Sequence, residues 1–331
     1  MTATLVTGAS GFVGSALTRK LIAAGQRVKV LLRPGADRRN VAQLPVEIVH
    51  GDLTDKPSLE RALAGCEALF HVAADYRLWA RNPDELYQSN VNGTVNIMQA
   101  ALAAKVQRIV YTSSVATLGL NAGGIPADEA TLVTFNDMIG HYKRSKFLAE
   151  AEVKKLVHEQ GLPAVIVNPS TPVGPRDIKP TPTGRMVLDA ACGRTPAYVD
   201  TGLNLVHVDD VAQGHILAYE RGKIGERYIL GARNMTLKEI LTEVAKISGQ
   251  KPPRVKLPHN LVLPIAYVSE AWAWLTNGAE PRATVDGVRL SRKYMYFSIA
   301  KAQRDLNYNP RPVEDALQDA VEWFRANGYC G

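Results

Sequence analysis

Tyr142 and Lys146 stand four residues apart in His141-Tyr142-Lys143-Arg144-Ser145-Lys146, and twenty-eight residues before Tyr142 lies Ser114. Positions i and i+4 share one face of a helix. The apolar residues that follow, Phe147, Leu148, Ala151, Val153 and Leu156, give that helix a face to bury. A free phenol ionises near pH ~10, so half-ionisation at neutral pH costs about 4 kcal/mol. An ammonium about 4 Å away, at an effective dielectric near ~20, returns about 4 kcal/mol. One lysine, one turn along the helix, is therefore the right size to lower the Tyr142 phenol. Such a phenol exchanges a proton with a carbonyl or hydroxyl oxygen. A strand-end serine, Ser114, would donate a hydrogen bond to the same oxygen, leaving Ser113 for backbone groups. Tyr-x-x-x-Lys also arises by chance on surface helices, so the elements that position it decide what it means.

The first of these elements opens the chain. Leu5-Val6 stops at Thr7, then Gly8, Gly11 and Gly14 follow at intervals of three, with Ala9, Ser10, Phe12 and Val13 between them. Phe12, Val13, Ala16, Leu17, Leu21 and Ile22 continue at helical spacing. This is strand, tight turn and helix: Gly8 for the turn, Gly11 for close approach of backbone N–H groups to a pyrophosphate, Gly14 for helix-on-strand packing. The helix N-terminus adds the positive end of a dipole. The alternative is a glycine-rich loop that only turns the chain.

A second strand, Val28–Leu32, ends at Arg33. In a dinucleotide fold an acid at that point accepts from a free ribose 2′-OH, whereas an arginine pairs with a 2′-phosphate. Arg33, backed by Arg38 and Arg39, favours NADP(H) and leaves NAD(H) open; a solvated arginine at a strand end is the plainer reading. A third strand, Val46–Val49, leads into Gly51-Asp52-Leu53-Thr54-Asp55 and a helix at Ser58–Leu63. The buried run Ala68–His71 is followed by Val72, Ala73 and Ala74, small enough to leave room beside a cofactor ribose. Arg108–Thr112 is a fifth strand ending at Ser113-Ser114, and Ala164–Pro169 a sixth.

Together T-G-A-S-G-F-V-G, G-D-L-T-D, N-V-N-G-T-V-N (Asn90–Asn96), Ser-Ser and Tyr-x-x-x-Lys resemble, in order, the extended short-chain dehydrogenase/reductase family. The resemblance implies a Rossmann-like, doubly wound parallel α/β sheet with a smaller C-terminal α+β lobe. It places Asp52 and Leu53 beside the adenine, with Asn90 as a hydrogen-bonding post near the active-site end. The backbone of Pro169, Thr171 and Val173 would hold the nicotinamide carboxamide, and Asn168 would face the substrate. Tyr142, Lys146 and Ser114 become the catalytic set, with Lys146 also on the nicotinamide ribose. V-H-V-D-D-V-A at Val206–Ala212 matches the extended subgroup; capping explains Asp209 and Asp210, and a satisfied structural role explains His207. The expected division is residues 1–170, with 203–225 returning, for the nucleotide, and 171–202 with 226–331 for the substrate.

Within the family, the segment Leu275–Pro281 and Gly328-Tyr329 look closest to the dihydroflavonol-reductase-like branch, and there to bacterial hopanoid-associated sugar epimerases. That likeness implies a small-molecule substrate, a sugar or polyol joined to a polycyclic lipid, or a hydrophobic carbonyl. Three readings follow: an NADP(H)-dependent reductase or sugar-modifying oxidoreductase, an NAD-dependent nucleotide-sugar epimerase or dehydratase, and a non-catalytic NADP-sensing regulator. The Tyr/Lys pair argues against the last. The family's helices beginning near Asn90 and Tyr142 imply a homodimer.

Composition fits this. The 331 residues are 46% hydrophobic and 21% charged, as in globular proteins, and the net charge of +7 comes without a Lys/Arg run of the kind nucleic acid requires. Cys66, Cys192 and Cys330 are few and scattered, so neither a disulfide nor a metal site is expected, and a reducing cytoplasm is. The stretch Leu257–Leu275 is rich in Leu, Val, Ile, Tyr and Trp. Pro258, Pro264 and Glu270 break it too often for a membrane span. It reads as a core helix or, alternatively, as a greasy lid or membrane-surface contact.

Overall fold

A computed structural model of the protein describes residues 3–276, 281 and 284–330. The chain opens with β1 (Ala3–Thr7), α1 (Phe12–Ala23), β2 (Val28–Leu32), β3 (Glu47–His50), α2 (Lys56–Leu63) and β4 (Cys66–His71). A short helix, α3 (Asp84–Tyr87), runs through a π-turn at Gln88–Asn92 into α4 (Gly93–Ala103). β5 (Arg108–Thr112), α5 (Gly140–Gln160) and β6 (Ala164–Pro169) follow. Then come β7 (Thr171–Val173), α6 (Pro182–Ala191), β8 (Ala197–Val199), β9 (Gly202–His207), α7 (Val208–Arg221) and β10 (Arg227–Leu230). The C-terminal part contains β11 (Arg233–Thr236), α8 (Leu237–Ser248), β12 (Val255–Leu257), α9 (His259–Leu275), α10 (Val285–Leu290), β13 (Tyr294–Met295), α11 (Ala300–Leu306) and α12 (Val313–Ala326).

Seven parallel strands, in the order β10-β6-β5-β4-β1-β2-β3, form the main sheet of the described residues. Helices cover both faces, which is why the central strands are continuous apolar runs rather than alternating ones. On one face Leu17 and Leu21 of α1 meet Val211 and Ile216 of α7 and Leu306 of α11. On the other, Leu59 and Leu63 of α2, Ile97 and Met98 of α4, and Val153 and Leu156 of α5 cover Leu5, Leu69 and Ile109. The strand order reverses between β1 and β4, and in such sheets ligands bind at the carboxyl ends of the strands flanking that point.

A second core, built by Val187 and Leu188 of α6, Ile240 and Val244 of α8 and Leu317 and Phe324 of α12, belongs to the smaller lobe. Its sheet joins β9 to β7, β11 and β13. Two strands therefore sit differently from the expected division. β9 pairs within the lobe sheet, and only α7 after it returns to cover the main sheet. β10, expected in the lobe, is the edge strand of the main sheet and pairs with β6. Neither strand's apolar pattern distinguishes the two sheets.

The cysteine expectation is overturned: Cys192, just after α6, and Cys330 form a disulfide across 138 residues, and Cys66 remains a buried thiol. Sequence spacing is blind to this pairing because it is made by the packing of α12 on α6. The core-helix reading of Leu257–Leu275 is overturned as well, since Val268, Trp272, Trp274 and Leu275 of α9 are 68–79% exposed. Asn277–Glu280 of the branch-defining segment lie outside the described residues.

Candidate active site

A cavity of about 1870 Å³ runs from the turn after β1, past the carboxyl ends of β2, β4, β5 and β6, to α6 and α10. Gly8 adopts φ +73°, and a Cβ there would stand 2.7 Å from the Ala73 nitrogen. Only glycine lets β1 turn against the loop that leaves β4. A Cβ on Gly14 would stand 2.1 Å from the Gly8 carbonyl oxygen, so α1 rests directly on the turn. Gly11 is the N-cap of α1 and offers no side chain to its first N–H groups. Gly8, Ser10, Gly11, Phe12, Val13 and Gly14 all line the cavity.

Arg33 follows β2 onto the cavity wall, exposed. Its expected companions do not join it. Arg39 pairs with Asp37 at 2.7 Å, and an Nη2 of Arg38 lies 3.1 Å from His50 Nε2; neither arginine lines the cavity. Asp52 and Leu53 line it, and Asp52 also turns the chain, its Oδ1 accepting from Thr54 N and Oγ1 at 2.9 and 2.7 Å. Val72, Ala73, Ala74, Pro169 and Thr171 complete this part of the wall. Beside them the Ser170 hydroxyl is buried without a partner among the described residues.

At the chemical end, Ser114 stands between β5 and a short turn, its Oγ accepting from Ala116 N at 3.1 Å. The Tyr142 phenol, at the start of α5, is close enough to the same hydroxyl to be influenced by it. Burial pushes that phenol above its ordinary value, Ser114 pulls it back, and Asp75 pushes it up again. Lys146 is buried, and burial presses its ammonium down to about 8 against the opposing pull of Glu150. Its Nζ donates to the Thr112 carbonyl at 2.8 Å and the Tyr111 hydroxyl at 3.3 Å. In this arrangement the net shift of the phenol is upward, and β5 holds the Lys146 ammonium through Thr112 and Tyr111. Ser114, Tyr142 and Lys146 all line the one cavity.

Three expected contacts lie behind the wall instead. Asn90 is buried; it donates to the Asp75 carbonyl at 2.8 Å and Ser145 Oγ at 3.0 Å and accepts from Asp75 N at 2.7 Å. It clamps the loop after β4 to α5. Asn168 is fully buried, donating to the Ser114 carbonyl at 3.0 Å, Thr117 Oγ1 at 3.2 Å and Glu150 Oε2 at 3.0 Å, so it faces no substrate. Val173 packs in the lobe core. His207 is structural: its Nδ1 accepts from Asp209 N at 2.9 Å and its Nε2 lies 3.0 Å from Asp319 Oδ2. Asp209 and Asp210 do not cap; they pair with Arg176 and Arg311.

Glu150 escaped the sequence reading. It accepts from Ser113 Oγ at 2.5 Å and Thr117 Oγ1 at 2.8 Å, and pairs with Lys154 at 2.6 Å and Arg227 at 3.2 Å. Burial alone would raise its carboxyl, but Lys154, Ser113 and Arg227 together hold it below the ordinary value. It locks the end of β5, and so Ser114, to α5 and β6. The available signal was its place four residues beyond Lys146, on the same helical face.

The uncapped helix end, the glycine turn, Arg33 and the orphaned Ser170 hydroxyl suit a dinucleotide. Comparison with known proteins agrees. Residues 4–231 match the NAD dependent epimerase/dehydratase family. A Synechocystis sp. protein provisionally named dihydroflavonol 4-reductase is 45% identical over 98% of this chain and 95% of its own length. Sterol demethylase protein B of Methylococcus capsulatus is 35% identical over 98% and 99% of the two chains. The crystal structure of gox2253, 55% identical, superposes with a TM-score of 0.89 over 99% of both chains. The chain accordingly belongs to the NAD-dependent epimerase/dehydratase family, and is an NAD(P)-dependent enzyme of the extended short-chain dehydrogenase/reductase type.

Proposed function

We propose that this protein is an NADPH-dependent reductase of a carbonyl on a hydrophobic, polycyclic or lipid-linked sugar or polyol substrate. The observation that carries the reading is that Arg33, the Gly8–Gly14 turn and the Ser114–Tyr142 pair line a single cavity. Arg33 stands where an acid would select a free ribose hydroxyl, and no ion pair among the described residues claims it. The relatives named for dihydroflavonol and sterol chemistry supply the substrate class.

Bound NADPH would supply the hydride. The first turn of α1 would hold the pyrophosphate, Arg33 the 2′-phosphate, and Ser170 with the Pro169–Thr171 backbone the nicotinamide end. Ser114 orients the substrate oxygen, and Tyr142 transfers its phenolic proton to that oxygen as the carbonyl is reduced. A phenol held above its ordinary pKa stays protonated at neutral pH, as an acid for reduction must. Lys146 keeps a positive charge beneath the site. In the same reading the active form is a homodimer through α4 and α5.

The test is to purify the protein, identify its nucleotide and follow NADPH oxidation with hydrophobic ketones. Exchangeable NADPH with turnover lost by at least about a thousandfold in Tyr142→Phe supports the reading. Tightly retained NAD, with nucleotide-sugar epimerisation and no net NADPH oxidation, replaces it by the epimerase alternative.

A further inference from the structure

α9 is turned inside out. Its small residues Ala266 and Ala273 face the protein, while Leu261, Ile265, Val268, Trp272, Trp274 and Leu275 are 60–79% exposed. Glu270, its one carboxylate, turns inward and accepts from Val285 N at 2.7 Å. From Leu261 to Leu275 the outward face therefore carries no charge over about 22 Å of helix. An isolated exposed apolar side chain needs no explanation, but a continuous face of this kind marks a contact surface.

The surroundings state what it contacts. Residues 251–276 and 284–293 contain six basic residues, Lys251, Arg254, Lys256, Arg289, Arg292 and Lys293, against two acidic ones, Glu270 and Asp286. Two of them are tied to α9 itself: Arg292 donates to Asn260 Oδ1 at 2.9 Å and Arg289 to the Tyr267 hydroxyl at 3.3 Å. Lys251, Arg254 and Arg292 form no ion pair among the described residues. Lys256 pairs with Asp200 and Arg289 with Asp286, which leaves Arg292, held on α9 by Asn260, and the exposed Lys251, Arg254 and Lys293 of the flanking segments as the free cations among the described residues. Aliphatic side chains with two tryptophans and this positive excess match a bilayer interface with acidic headgroups. Between Leu261 and Leu275 the exposed side chains offer no charge and only the Tyr267 hydroxyl and the indole N–H donors of Trp272 and Trp274, the composition of an interfacial belt. No helix of the described residues is long and apolar enough to cross a membrane, so α9 would lie in the surface.

We propose that α9 docks this protein on an anionic lipid bilayer as an interfacial helix. Beneath it α10 carries Val285 and Val288 against Val262, and Val262 and Val288 also line the cavity. The docking face and the cavity thus share a wall. The inference does not depend on which reaction the site performs.

The experiment is co-sedimentation of the intact protein with vesicles of about three parts phosphatidylcholine to one of phosphatidylglycerol, at about 0.1 M salt. A second protein carries Ile265→Ser, Val268→Ser, Trp272→Ser and Trp274→Ser. The wild type should sediment with these vesicles, less with pure phosphatidylcholine, and at least tenfold more than the variant at equal thermal midpoint. Wild-type protein left in the supernatant overturns the proposal, as does a folded variant that sediments equally. A wild-type dimer that the variant dissolves, without vesicle binding, overturns it in favour of self-association. Should the variant not fold, Trp79→Phe with Trp323→Phe leaves Trp272 and Trp274 as reporters. Their emission must then be quenched by brominated lipid in the same vesicles, and unquenched emission overturns the proposal.

Discussion

The Lys146 ammonium sits 3.3 Å from the Tyr111 hydroxyl and 4.9 Å from the centre of its ring, fully inside the protein. Thr94 acts on the Tyr111 phenol from beside it, its Oγ1 lies 3.1 Å from His71 Nε2, and His71 Nδ1 lies 2.7 Å from Thr7 Oγ1. A buried chain of polar groups thus runs beneath the cavity floor from α5 to β1, making Tyr111 a positioning residue for Lys146.

Tyr111→Phe keeps the ring and removes one acceptor from the ammonium. A hydrogen bond to a charged group contributes about 1.5–3 kcal/mol, so kcat should fall by about tenfold or more with nucleotide affinity little changed. Lys146, already held down to about 8, is charged below that pH, so wild-type activity should fall as pH rises through about 8. Losing an acceptor lowers the ammonium further and should move this limb of the pH–rate profile to lower pH. A profile that stays in place removes Tyr111 from the mechanism.

Arg33→Ser tests nucleotide choice. A bidentate arginine–phosphate contact is charge-assisted, and losing it should raise KM for NADPH by about 10- to 100-fold while leaving NADH nearly unaffected. Equal effects on both nucleotides would show that Arg33 does not read the 2′-phosphate.

Two buried histidines make the fold sensitive to acid. Burial presses His71 down to about 3 and His215 to about 4. Both stay neutral in the folded chain, whereas an unfolded histidine takes up a proton near pH ~6.5. The unfolded state then binds more protons below that pH, so stability is full above it and declines as pH falls toward the folded values. Between pH 6.5 and 4.5 the two together should reduce the unfolding free energy by on the order of 5 kcal/mol. Urea midpoints measured across this range check it, and a flat response contradicts neutral burial.

The Cys192–Cys330 bond closes 138 residues and fastens the chain's end beside α6. Long loops gain most from cross-linking, with typical values of about 2–4 kcal/mol. Cys192→Ser with Cys330→Ser, or reduction of the wild type, should lower the thermal midpoint by several degrees. An unchanged midpoint with both thiols titratable would mean that the bond contributes nothing to stability.

Local chemistry carried the sequence reading a long way. The glycine spacing after an apolar strand, Arg33 immediately after the next, and Tyr142 one turn from Lys146 each constrain their own neighbourhood. The turn, the helix start and the side chains on the cavity wall could therefore be named before any folding was known. What the sequence left undecided depends on residues brought together from far apart. Asn168 reads as a substrate contact until Ser114, Thr117 and Glu150 close around it. Lys146 reads as the partner of Tyr142 until β5 supplies Thr112 and Tyr111. Cys192 finds Cys330 only because α12 packs on α6, and α9 is apolar in a way that cannot be distinguished from core until its small residues turn inward. Periodicity says which faces are apolar; only long-range packing decides which of them meet protein and which meet solvent.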